Sequence, residues 1–194
     1  MKLFTFLFVL LASANVYAAD CIKGGELAKK IIDKSISFYP GNKGIFYKEP
    51  TSSACFISKD NQYVDDAKSV SDYKEEVKVD VIEDIKAYNG LWIDNNSSQS
   101  NLLIKFSNGN ISLEGGSEYT NSSGSTDTGD FSGSSEFSLK DGIIKVNSKS
   151  QEGCYIQLRL VGELLVVLDS GEILGNCGGY GASFSGIYKK KNKT

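Results

Sequence analysis

The second half of the chain, residues 88–189, alternates apolar and polar residues in short runs that turn residues separate. In the clearest run, apolar residues occupy every second position from Leu102 to Phe106. Asn108-Gly109, a strong signal for a tight hairpin, follows that run. The other runs that predict strands lie at 91–93, 111–113, 131–139, 143–146, 155–160, 164–168 and 182–188. About eight strands with mostly short turns predict a mainly β fold, either an antiparallel up-and-down barrel or a small sandwich.

The first and last of these strands share a short pattern. In both 88–92 and 184–188, aromatic residues stand on either side of a glycine, two positions away from it. Pairing of these two strands would close a barrel and remove its exposed edges. The alternative is a coincidence in a chain that is rich in Gly and Tyr.

The preceding residues, 19–87, are instead rich in Lys, Asp, Glu and Ile. Within 25–34, Leu27, Ile31 and Ile32 fall on one side of a helix. This spacing predicts a short amphipathic helix.

Turn residues flank the next two apolar runs, at Pro40-Gly41 and at Glu49-Pro50-Thr51. The runs themselves, at 44–47 and 54–58, are predicted to pair as a hairpin near Cys55.

Residues 64–88 fit two structures. Their apolar residues recur every three or four positions, as in a helix, but Val77, Val79 and Val81 alternate, as in a strand. We favour a strand at 76–83 because valine prefers strands. The sequence thus divides into an α+β segment at 19–87 and a β domain at 88–189.

Residues 1–18 have the features of a secretory signal peptide. Lys2 is the positive start, and the apolar run at 3–12 is too short to cross a bilayer. Small or aliphatic residues at 16–18 predict cleavage before Ala19.

Cys21 lies close to that cleavage site, but Asp20 precedes it where a lipidation signal needs a small residue. We therefore expect a periplasmic or secreted protein without a membrane anchor. A Lys-rich tail follows the last strand at 190–194.

The chain has four cysteines, Cys21, Cys55, Cys154 and Cys177. An even number in an exported chain indicates two disulfides. Of the three ways to pair them we favour Cys21–Cys55 with Cys154–Cys177, because each pair then lies within one segment. A four-thiolate metal site is disfavoured, since its ligands usually come in close C-x-x-C pairs that this sequence lacks.

Composition excludes several classes of function. The chain has no histidine, which excludes Ser-His-Asp and Cys-His catalysis and His-ligated zinc. Arg159 is its single arginine, so an arginine cluster for phosphate is excluded too. Loss of Lys2 with the signal peptide lowers the basic side chains from 21 to 20 against 24 acidic ones, a net charge of −4. We expect no nucleic-acid partner, no metal and no cofactor.

Three polar or glycine-rich stretches could carry a ligand. The stretch at 175–181 is interpreted as a turn beside a disulfide, because glycine-rich phosphate loops open a helix and this one precedes a strand. Those at 127–130 and 94–96 offer oxygen ligands for calcium, but neither matches a calcium-binding loop. We expect both to be solvated turns.

Carboxylates on neighbouring strands raise the alternative of a secreted hydrolase. The candidates are Glu114, Glu118, Asp130 and Glu136. Such a mechanism needs one partly buried acid, so we do not expect an enzyme without that burial.

Aromatic residues suggest a contact surface. Exposed Tyr and Trp anchor interfaces at low entropic cost. Trp92 is expected in the core, whereas Tyr119 and Tyr180 stand in Ser- and Gly-rich turns and are the candidate partner-binding residues.

The end of the chain, from Asn176 to Lys189, places Cys177-Gly178-Gly179 before a Ser-Phe-Ser-Gly-x-Tyr run and a basic residue. This tail resembles that of small exported β-barrel proteins of Gram-negative bacteria, some of which accompany lysozyme-inhibitor-like domains. The Gly-x-Trp at 90–92 is also similar to the first strand of lipocalin-like barrels. The resemblances transfer no functional residue.

Taken together, these features predict an exported soluble protein that binds a macromolecule, such as a cell-wall-acting enzyme or a toxin, as an inhibitor or immunity factor. The alternatives are a lipocalin-like carrier of a small apolar ligand and a carboxylate-dependent secreted hydrolase.

Overall fold

The computed structural model describes residues 21–41, 44–48, 54–58, 63–64, 85–94, 100–140, 142–171 and 182–191. The elements in chain order are α1 (Gly24–Ile32), β1 (Ser37–Gly41), β2 (Gly44–Lys48), β3 (Ala54–Ser58), β4 (Tyr63–Val64), a 3-10 helix (Ile85–Tyr88), β5 (Gly90–Asp94), β6 (Ser100–Ser107), β7 (Asn110–Thr120), β8 (Thr126–Glu136), β9 (Leu139–Lys140), β10 (Ile143–Asn147), β11 (Tyr155–Val161), β12 (Leu164–Asp169) and β13 (Gly186–Lys190). They form a four-stranded sheet, β1-β2-β3-β4, and a nine-stranded sheet, β8-β7-β6-β5-β13-β12-β11-β10-β9.

The larger sheet is an antiparallel, nearly closed barrel of eight strands, with the two-residue β9 as a short addition. Its first and last strands pair, with Lys189 of β13 opposite Ile93 of β5. On the other side, β8 meets the residues directly after β10: Gly133 forms a bridge with Ser148, and the Lys149 amide donates to the Ser132 carbonyl at 2.9 Å. The predicted fold class is confirmed, and of the two interpretations of the repeated aromatic and glycine pattern the structure has the one in which the first and last strands pair.

Turn chemistry sets the register of the β6–β7 hairpin. Asn108 (φ +52°) and Gly109 (φ +77°) both adopt the left-handed conformation that a two-residue turn of this kind requires. The hairpin predicted at Asn108-Gly109 is confirmed, and it places Ser107 opposite Asn110.

Large apolar side chains from all eight strands fill the barrel. Trp92 is 1% exposed and its indole Nε1 donates a hydrogen bond to the Tyr88 carbonyl at 2.8 Å, so its predicted core position is confirmed. The other members of this cluster are Leu102, Ile104, Ile111, Leu113, Phe131, Ile144, Val146, Ile156, Leu158, Leu165, Val167, Phe184 and Tyr188.

The apolar run of β12 is continuous because both of its faces are buried. Leu165 and Val167 point into the barrel, whereas Leu164, Val166 and Leu168 pack outside it against the amino-terminal elements. Strands covered on both faces lose the polar half of the alternation.

Helix α1 covers that outer face of β12. Leu27, Ile31 and Ile32 form its buried side, as predicted. The helix ends where the amide of Asp33 bonds back to the Lys29 carbonyl at 2.8 Å and Lys34 turns left-handed, with φ +56°.

The small sheet packs beside α1. The predicted hairpin of 44–47 with 54–58 is confirmed, with Tyr47 opposite Cys55. Cys55 forms the predicted disulfide with Cys21, whose Cα lies 6.0 Å away. This bridge ties the strand to the residues that precede α1.

Three further predictions concern this segment, and two of them lie outside the described residues. Pro40-Gly41 ends strand β1 and was expected to be a turn. Proline fits there because β1 is the edge of its sheet and needs no amide donor on its outer side. The strand predicted at 76–83 and the turn at 49–51 lie outside the described residues.

Candidate functional site

Buried polar side chains concentrate at one end of the barrel, where β5 and β12 finish and β6 begins. Among the described residues, the buried polar and charged ones are Asp94, Ser100, Ser117, Asp169, Ser170 and Ser185. All six lie at this end, which we call the polar end. Within the part of the chain that the structure describes, the apolar interior of the barrel thus gives way to a buried polar layer at this end.

Residues 182–185, which we call the plug segment, lie across the polar end. The Ser117 hydroxyl donates to the Ser183 carbonyl at 2.8 Å and accepts a hydrogen bond from the Ser100 hydroxyl at 2.9 Å. The Phe184 ring is fully buried, with its centroid 6.2 Å from that of Phe131 on β8. Since β8 lies four strands away from β13 around the barrel, Phe184 fills the interior from one side to the other.

The predicted strand at 182–188 is therefore wrong in its first part. Strand β13 begins at Gly186 and continues to Lys190. The four residues before it leave the strand direction because hydroxyl and carboxylate groups of other strands hold their backbone.

Asp169 holds the plug segment from the β12 side. Its Oδ2 accepts the amide of Phe184 at 3.2 Å, and its Oδ1 accepts the amide of Gly171 at 2.5 Å. Its own amide donates to the Ser185 hydroxyl at 3.0 Å. These bonds orient a carboxylate that is only 2% exposed.

Tyr188 connects the plug segment to a second buried carboxylate. Its hydroxyl donates to the Phe184 carbonyl at 2.8 Å. Burial raises the pKa of this hydroxyl well above its ordinary value and the charges of Asp94 and Asp169 raise it too, while a hydrogen bond with Ser100 acts in the opposite direction. Tyr188 is therefore a neutral hydrogen-bond donor at physiological pH.

Gly186 allows the Asp94 carboxylate to reach this position. A Cβ atom at residue 186 would overlap Oδ2 of Asp94. A glycine at the start of β13 is thus required by close packing against a carboxylate.

Ser170 and Cys154 complete the polar end on the β11 side. The Ser170 hydroxyl accepts the amide of Tyr155 at 2.8 Å, and the Ser170 amide donates to the Tyr155 carbonyl at 3.0 Å. Cys154 is buried and disulfide-bonded. Its predicted partner Cys177, the predicted turn at 175–181 and Tyr180 lie outside the described residues, so the pairing stays a prediction.

The β7–β8 hairpin extends past its neighbour at the same end. The two strands pair without interruption up to Thr120 opposite Thr126, whereas the pairing of β6 with β7 stops with Asn101 opposite Gly116. We call the projecting residues, 118–128, the hairpin arm.

Two predictions about residues in and beside the hairpin arm are wrong. Tyr119 and residues 127–130 were expected in turns and instead lie in β7 and β8. Glycine and serine have low strand propensity, but here the register carried over from the barrel imposes pairing on them.

An asparagine orders the tip of the arm. Oδ1 of Asn121 accepts the amides of Ser123 and Ser125, each at 3.0 Å, and the Ser123 hydroxyl at 2.6 Å. Next to this turn, the Thr120 and Thr126 hydroxyl oxygens lie 3.0 Å apart. The tip is therefore a defined turn on a paired ribbon.

Tyr119 projects from this arm. It is 42% exposed and is the exposed large hydrophobic side chain among the described residues. It shares its strand face with Leu113 and Ser117, which point into the barrel, and it lies opposite Asp127. The ring therefore extends the inward face of the sheet beyond the polar end.

The other acidic residues that the sequence suggests as metal ligands or catalytic groups do not lie together in one site. The carboxylates of Glu114, Glu118, Asp130 and Glu136 are all exposed on the outside of β7 and β8. In the described part of the chain, no group of three or more acidic or cysteine side chains could hold a metal ion. Asp94 is buried, and the two residues that follow it in the predicted stretch lie outside the described residues.

Sequence reasoning missed the polar end as a unit. Its only sequence signal is an aspartate and a serine, Asp169-Ser170, directly after a fully apolar run, together with serines on both sides of Phe184. In the sequence alone, both of these stretches look like ordinary strand ends, and only the folded barrel places them next to each other.

No protein-family model, curated protein or solved structure matches the chain. No helix among the described residues is long and apolar enough to cross a membrane. The resemblance to exported barrel proteins therefore stays an expectation.

Proposed function

We propose that this protein is an exported binding protein whose hairpin arm presents Tyr119 to a macromolecular partner. The observation that carries the proposal is the exposed Tyr119 ring on a paired ribbon that projects beyond the barrel. Tyrosine is enriched among the residues that dominate binding energy, because it offers a large contact area with few rotatable bonds.

The order of the arm supports this role. Binding costs free energy when a loop must be immobilised. The Asn121 hydrogen bonds and the β7–β8 ladder form within the free protein, so that cost is met before a partner arrives.

The charge of the arm favours a basic partner. Glu118 and Asp127 flank Tyr119 on the two strands, and no lysine occurs in residues 106–139. Complementary charge speeds encounter and selects between partners. A basic cell-wall-acting enzyme or toxin, held by an inhibitor or immunity factor, fits this requirement.

Export is part of the proposal. The Cys21–Cys55 disulfide is typical of an oxidising compartment, which agrees with the signal peptide predicted at 1–18 and with a periplasmic or secreted location.

Two other functions have less support. Phe184 and the interior side chains occupy the barrel space that a lipocalin-like carrier would offer to its ligand. The exposed carboxylates of β7 and β8 lack the partial burial that a general acid needs in a hydrolase.

The test is a panel of purified lysozymes, amidases and other cell-wall hydrolases, each assayed with the protein lacking residues 1–18. We expect inhibition of one enzyme class, with Tyr119→Ala weakening the inhibition constant about tenfold or more, as truncation of a central anchor does. Thr128→Ala, an exposed change on the outer face of the same arm, is the matched control and should leave inhibition unchanged.

Two results would count against the proposal. One is unchanged activity of the whole panel at high protein concentration, and the other is inhibition by Tyr119→Ala equal to that of the wild type.

A further inference from the structure

In the described part of the chain, side chains of other strands hold the plug segment in the barrel. The ladder between β12 and β13 runs from Leu164 opposite Lys189 to Val167 opposite Gly186 and stops there. The residues before Gly186 are not part of this ladder, so the ladder does not depend on their position.

Asp169 makes the central contacts to this segment. Both of its carboxylate oxygens accept backbone amides, from Gly171 and from Phe184. A carboxylate only accepts hydrogen bonds, whereas a neutral carboxyl group or an amide also carries a donor. When Asp169 is neutralised, its side chain gains a hydrogen that can face a buried N–H group, and that group then has no acceptor. A buried N–H group without an acceptor costs free energy.

Other titratable groups surround this carboxylate. Within the described residues, Asp94 of β5 and Tyr188 of β13 belong to the same buried cluster. Tyr155 of β11 neighbours Ile156, the residue paired with Asp169, so its side chain points to the other face of the sheet. Lys145 of β10 lies 3.7 Å from the ring centroid of Tyr155 and is exposed. The cluster thus holds two buried carboxylates, and acid acts on it by neutralising them.

Phe184 occupies a socket of aromatic size. The ring lies against Phe131 on one side and beside Gly115 on another, where a Cβ atom would be in ordinary contact with its Cε1 atom at 3.4 Å. Removal of Phe184 would leave an apolar space that fits an aromatic or short aliphatic group.

We propose that the plug segment is an acid-released gate. Neutralisation of Asp169 frees the Phe184 amide, the segment withdraws the ring, and the open socket then takes a small apolar ligand. The barrel is closed at neutral pH and opens at its polar end in acid. This inference does not depend on the hairpin arm or on its partner.

Hydrogen–deuterium exchange tests the gate at about pH 7 and about pH 4 after correction for intrinsic exchange rates. In the wild type, we expect the peptide that covers 182–188 to exchange at least about tenfold faster in acid, while peptides of β6–β8 stay protected. Asp169→Asn should show the fast exchange already at neutral pH and change little in acid. Asp130→Asn, an exposed carboxylate on β8, is the matched control and should behave as the wild type.

Two probes report the opening itself. Trp92 is the single tryptophan and is buried in the barrel, so its quenching by acrylamide should increase when the gate opens. Binding of the apolar dye anilinonaphthalene sulfonate should rise under the same conditions. If Asp169→Asn does not fold, Ser117→Ala, which removes the hydroxyl bonded to Ser183, should accelerate exchange of 182–188 at neutral pH.

The gate is refuted if exchange at 182–188 is the same in the wild type at both pH values and in the variants. It is equally refuted if that exchange rises only together with exchange throughout β6–β8, because the whole barrel then unfolds.

Discussion

The polar end of the barrel is closed by Phe184 beneath serine hydroxyls and two carboxylates, whereas the opposite end is closed mainly by aromatic rings. At that opposite end, which we call the aromatic end, the rings of Phe106 and Phe137 meet edge to face with centroids 5.5 Å apart. The Tyr88 hydroxyl there accepts the amide of Leu160 at 3.2 Å. Both ends bury aromatic rings, but among the described residues the buried carboxylates, Asp94 and Asp169, lie at the polar end.

The two ends of the barrel are thus closed by two different kinds of contact. The free energy of the apolar contacts at the aromatic end depends on the apolar area that they bury and hardly at all on pH. Contacts at the polar end depend on the ionisation of a few groups, and the loss of one leaves its partners unsatisfied. The aromatic end therefore suits permanent closure, and the polar end suits control and recognition.

The largest contrast is expected when one aromatic ring is removed at each end. Phe184→Ala should lower the free energy of unfolding by about 3–5 kcal/mol, since it empties a fully buried site. Phe137→Ala should cost about 1–2 kcal/mol, because that ring is only partly buried. Urea denaturation of both variants measures this, and equal losses would show that the plug segment adds little to the barrel.

A smaller effect is expected in alkali, where the two buried tyrosines differ. Burial raises the pKa of Tyr188 well above 10.0 and also raises that of Tyr88, where the Leu160 amide and the Arg159 charge act against it. A raised folded pKa gives stability that is complete below the unfolded pKa and is lost as the pH rises above it. The free energy of unfolding should therefore fall above about pH 10.

Tyr188→Phe should remove more of that alkaline slope than Tyr88→Phe, because the charges of Asp94 and Asp169 act only on Tyr188. Thermal unfolding as a function of pH measures the slope for each variant. A larger contribution from Tyr88 would reverse the electrostatic ranking of the two ends.

The smallest effect on stability is expected at Tyr119. Tyr119→Ala should change the free energy of unfolding by less than about 0.5 kcal/mol, because the ring is 42% exposed and lies beyond the barrel. A thermal melt of this variant beside Thr128→Ala checks this. A clear loss of stability would mean that the ring supports the polar end and is not free for a partner.

Much of the barrel follows from local pattern. The alternation from Leu102 to Phe106, the Asn108-Gly109 turn and the apolar run of β12 each predict an element where the structure has one. The repeated aromatic and glycine pattern at 88–92 and 184–188 offers the closing pair as one of two interpretations, and the structure has that pair. These features are local, or they compare two short stretches, so sequence alone expresses them.

The candidate site follows from pairings that no local pattern expresses. Tyr119 stands in serine- and glycine-rich sequence that looks like a turn, and only its partner strand makes it part of a ribbon. Ser117 and Ser183 are bonded across 66 positions of sequence. Because serine and aspartate are common in loops, their burial at the polar end depends on tertiary packing alone.

Helix α1 packs on β12 and β13, so the earliest described element of the chain rests on the latest ones. Arg159 reinforces this contact, since its Nη1 donates to the Ile31 carbonyl at 3.3 Å across 128 positions. Contacts of such long sequence separation slow folding and delay it until synthesis is almost complete. During that delay Leu164, Val166 and Leu168 are uncovered. A chain with these contacts remains unfolded while it is being synthesised, and its native core forms only after its last strand has been made.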